Sequence, residues 1–385
     1  MGCAPSTKRP RAELTKVMGE NFLDSYLRVE KDIWAEEQEA PAPRLGHVMA
    51  KLDRVNSEIE TTLANLTEDR EYNVLASNVL SDHVTMIEMS DESIKRCLAE
   101  LDINRNVQQA LEHEEFIANL TRKALKTHQL YILNRKKMDT EDEIAKLSEK
   151  VQRLQRLYEH QELILVEVLG ASGSRTEVEL DRIRSYRDTL YSGELTWLEA
   201  IKLVQSASVL TSAGVDSWLA LQSSVSADSR FTLATESRNT IQEAALNVQT
   251  AQTLLPAVSF PYCTSREILA ILQVIEYIYT DLQIWERYSH ANEVYKSFHK
   301  RVSALATWIH QMMEDTIVKD VHEVDKKIEA LASQLRSERV ERIQKKVKVP
   351  ICVGVLKTFA HLELVAATNN SSQSARACAS RTNHI

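Results

Sequence analysis

Apolar residues recur along most of this chain at steps of three and four, the spacing of one face of an α-helix. Leu14, Met18, Phe22, Tyr26 and Ile33 outline a first helix from about residue 12 to 38. The segment Glu39-Ala40-Pro41-Ala42-Pro43 then reads as a linker whose alternating prolines stop that helix and stiffen the connection. From Leu45 to Leu169 helical periodicity dominates, with interruptions expected near Thr67, Ser90, Asp102 and Asp139. At the last of these, Thr140 to Glu143 reads as a capping box opening a new helix. Its seam, Ile144, Leu147, Val151, Leu154, Tyr158, Leu165 and Val168 with polar Gln161 between, averages 3.5 residues per step and predicts coiled-coil packing.

Gly170 to Ser174 forms the clearest internal boundary. Gly170 suits the position just past a helix end, and Ser174 with Glu177 suits the start of the next helix. The following seam is Ile183, Tyr186, Leu190, Gly193, Trp197, Ile201, Val204, Ser208, Thr211, Val215 and Trp218, which predicts one long helix through Gly193, in preference to a hairpin there. A further helix is expected from Asp228 to Leu255, ended by Pro256. Thr264 to Glu267 is another capping box. It opens a helical region to about Lys346, with a possible break near Ser289. Ile268 to Trp285 reads as a buried core helix, followed by an apolar face through Phe298, Val302, Leu305, Ile309 and Met312 and on to Leu335. The end of the chain, 350–385, has one acid and no period and is expected to be disordered.

Composition sharpens this into a fold class. Eight glycines and seven prolines in 385 residues are about a third of average usage, and none falls between Gly46 and Gly170 or between Pro261 and Pro350. Turn-rich β and doubly wound α/β folds need such residues every ten or so positions. The expected class is therefore all-α: an elongated multi-helix bundle with long coiled-coil-like helices and a disordered C-terminal tail. The division expected is 1–11 an anchor, 12–170 an N-terminal helical region, 171–349 a long-helix bundle and 350–385 the tail. A net charge of -8 argues against general nucleic-acid binding. Five cysteines without a CxxC pair fit free thiols, not a disulfide framework or a zinc knuckle. No run of 18 apolar residues suggests a membrane span.

One segment carries chemistry. In Met1-Gly2-Cys3-Ala4-Pro5-Ser6-Thr7-Lys8-Arg9-Pro10-Arg11, removal of Met1 as an initiator exposes Gly2, and Ser6 stands where N-myristoylation asks for Ser or Thr. Cys3 is placed for palmitoylation at the bilayer surface, and Lys8, Arg9 and Arg11 add positive charge near an anionic leaflet. A single myristoyl chain binds only with a constant of about 10⁴ M⁻¹, so a second acyl chain and a basic cluster supply what stable anchoring needs. These eleven residues resemble the dual-acylated N-termini of Src-type tyrosine kinases and G-protein α subunits. The resemblance implies lipidation and nothing about the rest of the chain.

Enzyme signatures are not found. There is no P-loop, no GxGxxG, no Glu-x-x-His pair for a di-metal bundle site and no HExxH. Glu112-His113-Glu114-Glu115 reads as a solvated face, and Cys97 and Cys263 as buried small residues. The five tryptophans, mostly on seams, read as core. Two basic groups stand out, one from Arg122 to Lys137 and one from Arg336 to Lys348. In the second, Arg336, Arg339, Arg342 and Lys346 recur at helical spacing and would suit a bilayer, but interleaved Glu338 and Glu341 favour a salt-bridged surface. The expected function is a non-enzymatic, lipid-anchored scaffold or adaptor at the cytoplasmic face of the plasma membrane or an endomembrane. Its expected partners are the membrane, through acyl chains on Gly2 and Cys3, and helical proteins or a second copy. No cofactor, metal, nucleic acid or small-molecule substrate is expected. The rival reading is a membrane-shaping or tethering module resembling BAR-type proteins only in its long helices.

Overall fold

The computed structural model describes the backbone of residues 11–73, 86–104, 106–170 and 173–347, with side chains over 22–66, 91–104, 106–170 and 173–346. Within these residues every regular element is an α-helix. The all-α class expected from the scarcity of glycine and proline is what forms. In order they are α1 (Arg11–Glu37), α2 (Pro41–Asn73), α3 (Met86–Glu100), α4 (Val107–Glu112), α5 (Glu114–Leu169), α6 (Arg175–Ala220), α7 (Ala227–Leu254), α8 (Ser265–Glu276), the single turn α9 (Ile278–Asp281) and α10 (Trp285–Val347). The 350–385 segment lies outside the described residues.

Contacts divide the chain into two compact units. One gathers residues up to 35, 156–178 and from 331 onward; the other gathers 36–155 and 179–330. The first unit buries Tyr26, Val29 and Ile33 of α1 together with Ile164 of α5 and Leu335, Val340 and Ile343 of α10. The second holds the large apolar core, from Ile94 on α3 to Met313 on α10. Trp218 sits at its centre without solvent exposure, stacked on Tyr288 at 4.9 Å and edge-on to Tyr295 at 5.3 Å. Trp218 Nε1 donates to the Tyr288 carbonyl and the Tyr288 hydroxyl donates to the Trp218 carbonyl, so the end of α6 and the start of α10 each satisfy the other's backbone.

Several helix ends follow their local chemistry. Gly170 ends α5 at φ 77, and its N–H donates to the Val166 carbonyl. Ser174 caps α6 by accepting from the Thr176 N–H, while Glu177 accepts from the Ser174 N–H. Thr264 and Glu267 form a complete capping box at α8. Helix α6 runs unbroken through Gly193.

Other expectations need correcting. Pro41 and Pro43 do not stiffen a linker; they lie in the first turn of α2, where no intrahelical N–H is needed. The stop comes from residues 38–40, where Ala40 takes a left-handed φ of 44. Helix α2 passes Thr67, α3 passes Ser90, and α5 passes Asp139 and Thr140 without a break. Thr140 is buried, and its hydroxyl donates back to the Lys136 carbonyl at 2.6 Å. A Thr-x-x-Glu pattern caps only when the preceding turn is not already helical, and no Gly or Pro lies nearby to break it. Asp102, by contrast, does mark a break, at φ 51.

The Ile268–Trp285 segment is not one helix. It turns at Tyr277 and again after Asp281, and Trp285 is left 65% exposed at the start of α10. The Leu282 carbonyl freed by that break accepts from Arg230 of α7 at 3.0 Å. Tyr186 and Gly193, placed on the α6 seam by their spacing, are exposed. Over that stretch α6 turns Arg184 and Arg187 inward instead, paired to Glu37 and Asp325 at 3.2 and 2.9 Å, with Arg187 over the Tyr191 ring.

Where α6 and α7 meet, Gly214 allows close approach. A Cβ at this position would lie 2.7 Å from Ile241 Cγ1 and 2.8 Å from Thr240 Oγ1, whereas one on Gly193 would meet nothing within 4 Å. Gly214→Val is expected to cost about 2–3 kcal/mol of stability by overpacking. Gly193→Ala is expected to add about 0.5–1 kcal/mol through helix propensity. Urea denaturation followed by circular dichroism checks both; equal effects at the two sites would refute the close-approach account.

Asp281 at the end of α9 is buried, with Arg287 Nε 2.8 Å from Oδ1 and Arg287 also held by Glu114 of α5. Burial, only partly countered by Arg287 and reinforced by Glu114, raises its carboxyl to about 6. The folded state therefore holds this proton more tightly than the unfolded state. The group disfavours folding progressively as pH climbs from about 4 through 6, by about 3 kcal/mol at most. The stability of Asp281→Asn relative to wild type is expected to improve between pH 4.5 and 7.5, measured by denaturant unfolding; a constant difference would refute the assignment.

Candidate functional site

The residues with predicted lipid chemistry, Gly2 and Cys3, and the basic Lys8 and Arg9 all lie outside the described residues. Arg11 opens α1, and its side chain lies outside them too. Among the described residues no helix is long and apolar enough to cross a membrane, and no three His, Cys, Asp or Glu side chains converge as a metal site.

The second basic group divides, with Lys345 and Lys346 exposed. Arg336 and Arg339 turn into the first unit, with side-chain exposures of 8% and 13%. Arg336 Nε lies 3.6 Å from Glu30 on α1, and Arg339 donates to Glu177 on α6 at 2.5 Å. Glu30 also accepts from Gln161, the polar residue of the α5 seam, at 2.7 Å. Tyr26, wholly buried one turn before Glu30, has its hydroxyl pushed well up, first by burial and then by the Glu30 charge. Lys346 donates to the Leu169 carbonyl at 3.2 Å, neutralising the end of α5. Arg336, Arg339 and Lys346 thus join α1, α5, α6 and α10. Glu338, read as one of the acids interleaved on that surface, accepts from the Ser174 and Thr176 hydroxyls at 2.8 Å each.

Arg122 of the first basic group is likewise engaged. Arg122 Nε donates to Glu276 at 2.7 Å and its Nη1 to Glu115 at 3.0 Å. Glu114 pairs with Arg287, so the acidic run at the start of α5 is a set of helix-to-helix contacts and not only a solvated face. Cys263 is buried, which raises its thiol to about 11, and Cys97 is half-buried and raised for the same reason. Neither thiol is activated as a nucleophile.

In the second unit a cleft of about 380 Å³ lies between α2, α5 and α7. Helix α2 contributes Glu58 and Thr61, α5 contributes Gln129 and Lys136, and α7 contributes Gln249 and Thr250. Lys136 donates to Asn247 Oδ1 at 3.1 Å. Burial lowers its ammonium below the usual range despite the nearby Glu243 and Glu58 charges. Burial likewise raises the Glu58 carboxyl against the pull of Lys136 and Arg54. Beside the cleft, His47, Lys51 and Arg54 of α2 surround Glu199 of α6 at 2.9, 3.9 and 3.0 Å. Burial alone would raise the Glu199 carboxyl, but the His47 hydrogen bond and the Arg54 and Lys51 charges hold it low.

Sequence reasoning missed this cleft. By sequence Lys136 belongs only to the Arg122–Lys137 basic group, and nothing in the spacing singles out Glu58. The available signal was the inner stripe of α2, where Val48, Val55 and Thr62 recur seven apart with a hydroxyl ending an otherwise apolar series.

The inward pairing of Arg336 has a direct check. In a double-mutant cycle of Glu30→Gln with Arg336→Met, a coupling energy of about 1–2 kcal/mol is expected from denaturant unfolding. Additive effects would show that the pair does not act across the α1–α10 contact. No protein-family model, curated protein or solved structure matches the chain.

Proposed function

We propose that the protein is a lipid-anchored, non-enzymatic helical scaffold or adaptor working at the cytoplasmic face of a membrane. The observation that carries this reading is the Met1-Gly2-Cys3 to Arg11 segment, which combines a myristoylation motif, an adjacent thiol and three cations. Gly2 receives the first acyl chain, Cys3 the second, and Lys8, Arg9 and Arg11 meet anionic headgroups. The described helices are in keeping with this division of labour. Arg336 and Arg339 are paired within the fold, which supports assigning electrostatic attachment to the N-terminal segment. The exposed helix faces serve protein partners or a second copy.

Metabolic labelling with an alkynyl myristate tests the reading in cells. Wild type is expected to take up label and sediment with membranes. Gly2→Ala is expected to lose both, and Cys3→Ser to keep the myristate label but shift toward the soluble fraction. An unlabelled, soluble wild-type protein would overturn the proposal.

A further inference from the structure

The cleft between α2, α5 and α7 has a polarity that the scaffold reading does not use. Glu58 on its α2 wall and Lys136 on its α5 wall carry opposite charges, yet among the described residues neither has an ion-pair partner within 4.0 Å. Lys136 has three donors, and Asn247 takes one of them. Thr61 and Thr62 of the α2 wall donate their hydroxyl protons to the Ser57 and Glu58 carbonyls, which leaves their oxygens as acceptors toward the cleft. The α2 side is therefore rich in acceptors and negative charge. The α5 side presents the Lys136 ammonium, the Gln129 amide and, further along the wall, Lys126. Ile132, Leu133 and Leu246 supply an apolar portion between them.

A ligand with one charge would satisfy one wall and be repelled by the other. A molecule with an ammonium and a carboxylate a few bonds apart complements both. We propose that this cleft binds a free α-amino acid, its ammonium toward Glu58 and Thr61 and its carboxylate toward Lys136 and Gln129. The cavity falls within the range of small-molecule sites. Its Gln249 and Thr250 side chains can hydrogen-bond a polar side chain of the ligand. Both charged walls are partly desolvated, so opposite charges brought by the ligand act there with less screening than at an open surface. The ligand is held and not transformed, and the site stands or falls independently of the lipid anchor.

Isothermal titration calorimetry on the full chain decides this. The twenty amino acids are titrated one at a time, with putrescine and succinate as controls bearing only positive or only negative charge. At least one amino acid is expected to bind saturably, and tenfold or more tighter than either control. Glu58→Gln and Lys136→Met are each expected to weaken it tenfold or more while circular dichroism remains that of wild type. Should either variant fail to fold, Thr61→Val, with an expected loss of about threefold, takes its place. Absence of saturable binding by every amino acid, binding of a control as tight as the best amino acid, or undiminished binding by the folded variants would each overturn the proposal.

Discussion

A guanidinium with no access to water fixes how the second unit can be assembled. Arg238 of α7 is completely buried and hydrogen-bonds to Asp91 of α3 at 2.8 Å, to the Tyr279 hydroxyl of α9 at 3.0 Å and to its neighbour Asn239. Leaving such a charge unpaired in the interior would cost several kcal/mol. Helix α3 therefore cannot slip along α7, nor α9 turn away, without breaking a pairing that has no solvent to replace it. Tyr279 passes the constraint on, stacking on Phe231 and sharing a 2.7 Å hydrogen bond with Thr235. His128 of α5 is held below its usual range first by burial and then by this same charge, which keeps a second cation from forming beside the first.

The apolar period was enough to show that the chain is helical and where many helices stop. It read Gly170, Ser174 and Thr264 correctly because capping is local: the partners lie within four residues. It misread Thr140 because the same hydroxyl can cap a helix or bond back to one, and the turn before it decides. It placed Tyr186 and Gly193 on the inner face of α6, where they are exposed, and passed over the half-buried, paired Arg184 and Arg187, because apolar spacing does not register charged residues. The cleft was hidden for a related reason. Glu58 and Lys136 are ordinary helix-surface residues until two other helices close over them, and those contacts lie tens of residues away in sequence. The proposed acylation of Gly2 and Cys3 is argued from the linear peptide alone and draws nothing from the fold.

A common thread runs through these misreadings. In this protein much of the specificity of helix contacts comes from charged and hydroxyl side chains, with apolar residues supplying bulk. Glu30 meets Gln161 and Arg336, Glu199 meets His47, Lys51 and Arg54 of α2, and Glu338 accepts two hydroxyls at the start of α6. Polar contacts of this kind discriminate strongly between correct and shifted registers, since a slip leaves buried groups without partners. Long helices with a regular apolar repeat would otherwise have many near-equivalent alignments. The polar pairs remove that degeneracy.

Ala40 illustrates how little slack the chain has. Its carbonyl accepts the first hydrogen bond of α2, from Arg44, while its own N–H closes the end of α1 on the Glu37 carbonyl. One left-handed residue thus belongs to two helices at once. Each residue added to a helix rotates everything beyond it by about 100°. An insertion here would turn Val48 and Val55 out of the core and carry His47, Lys51 and Arg54 away from Glu199 together. The joint behaves as a phase-setting element, fixed by a buried residue in the left-handed region.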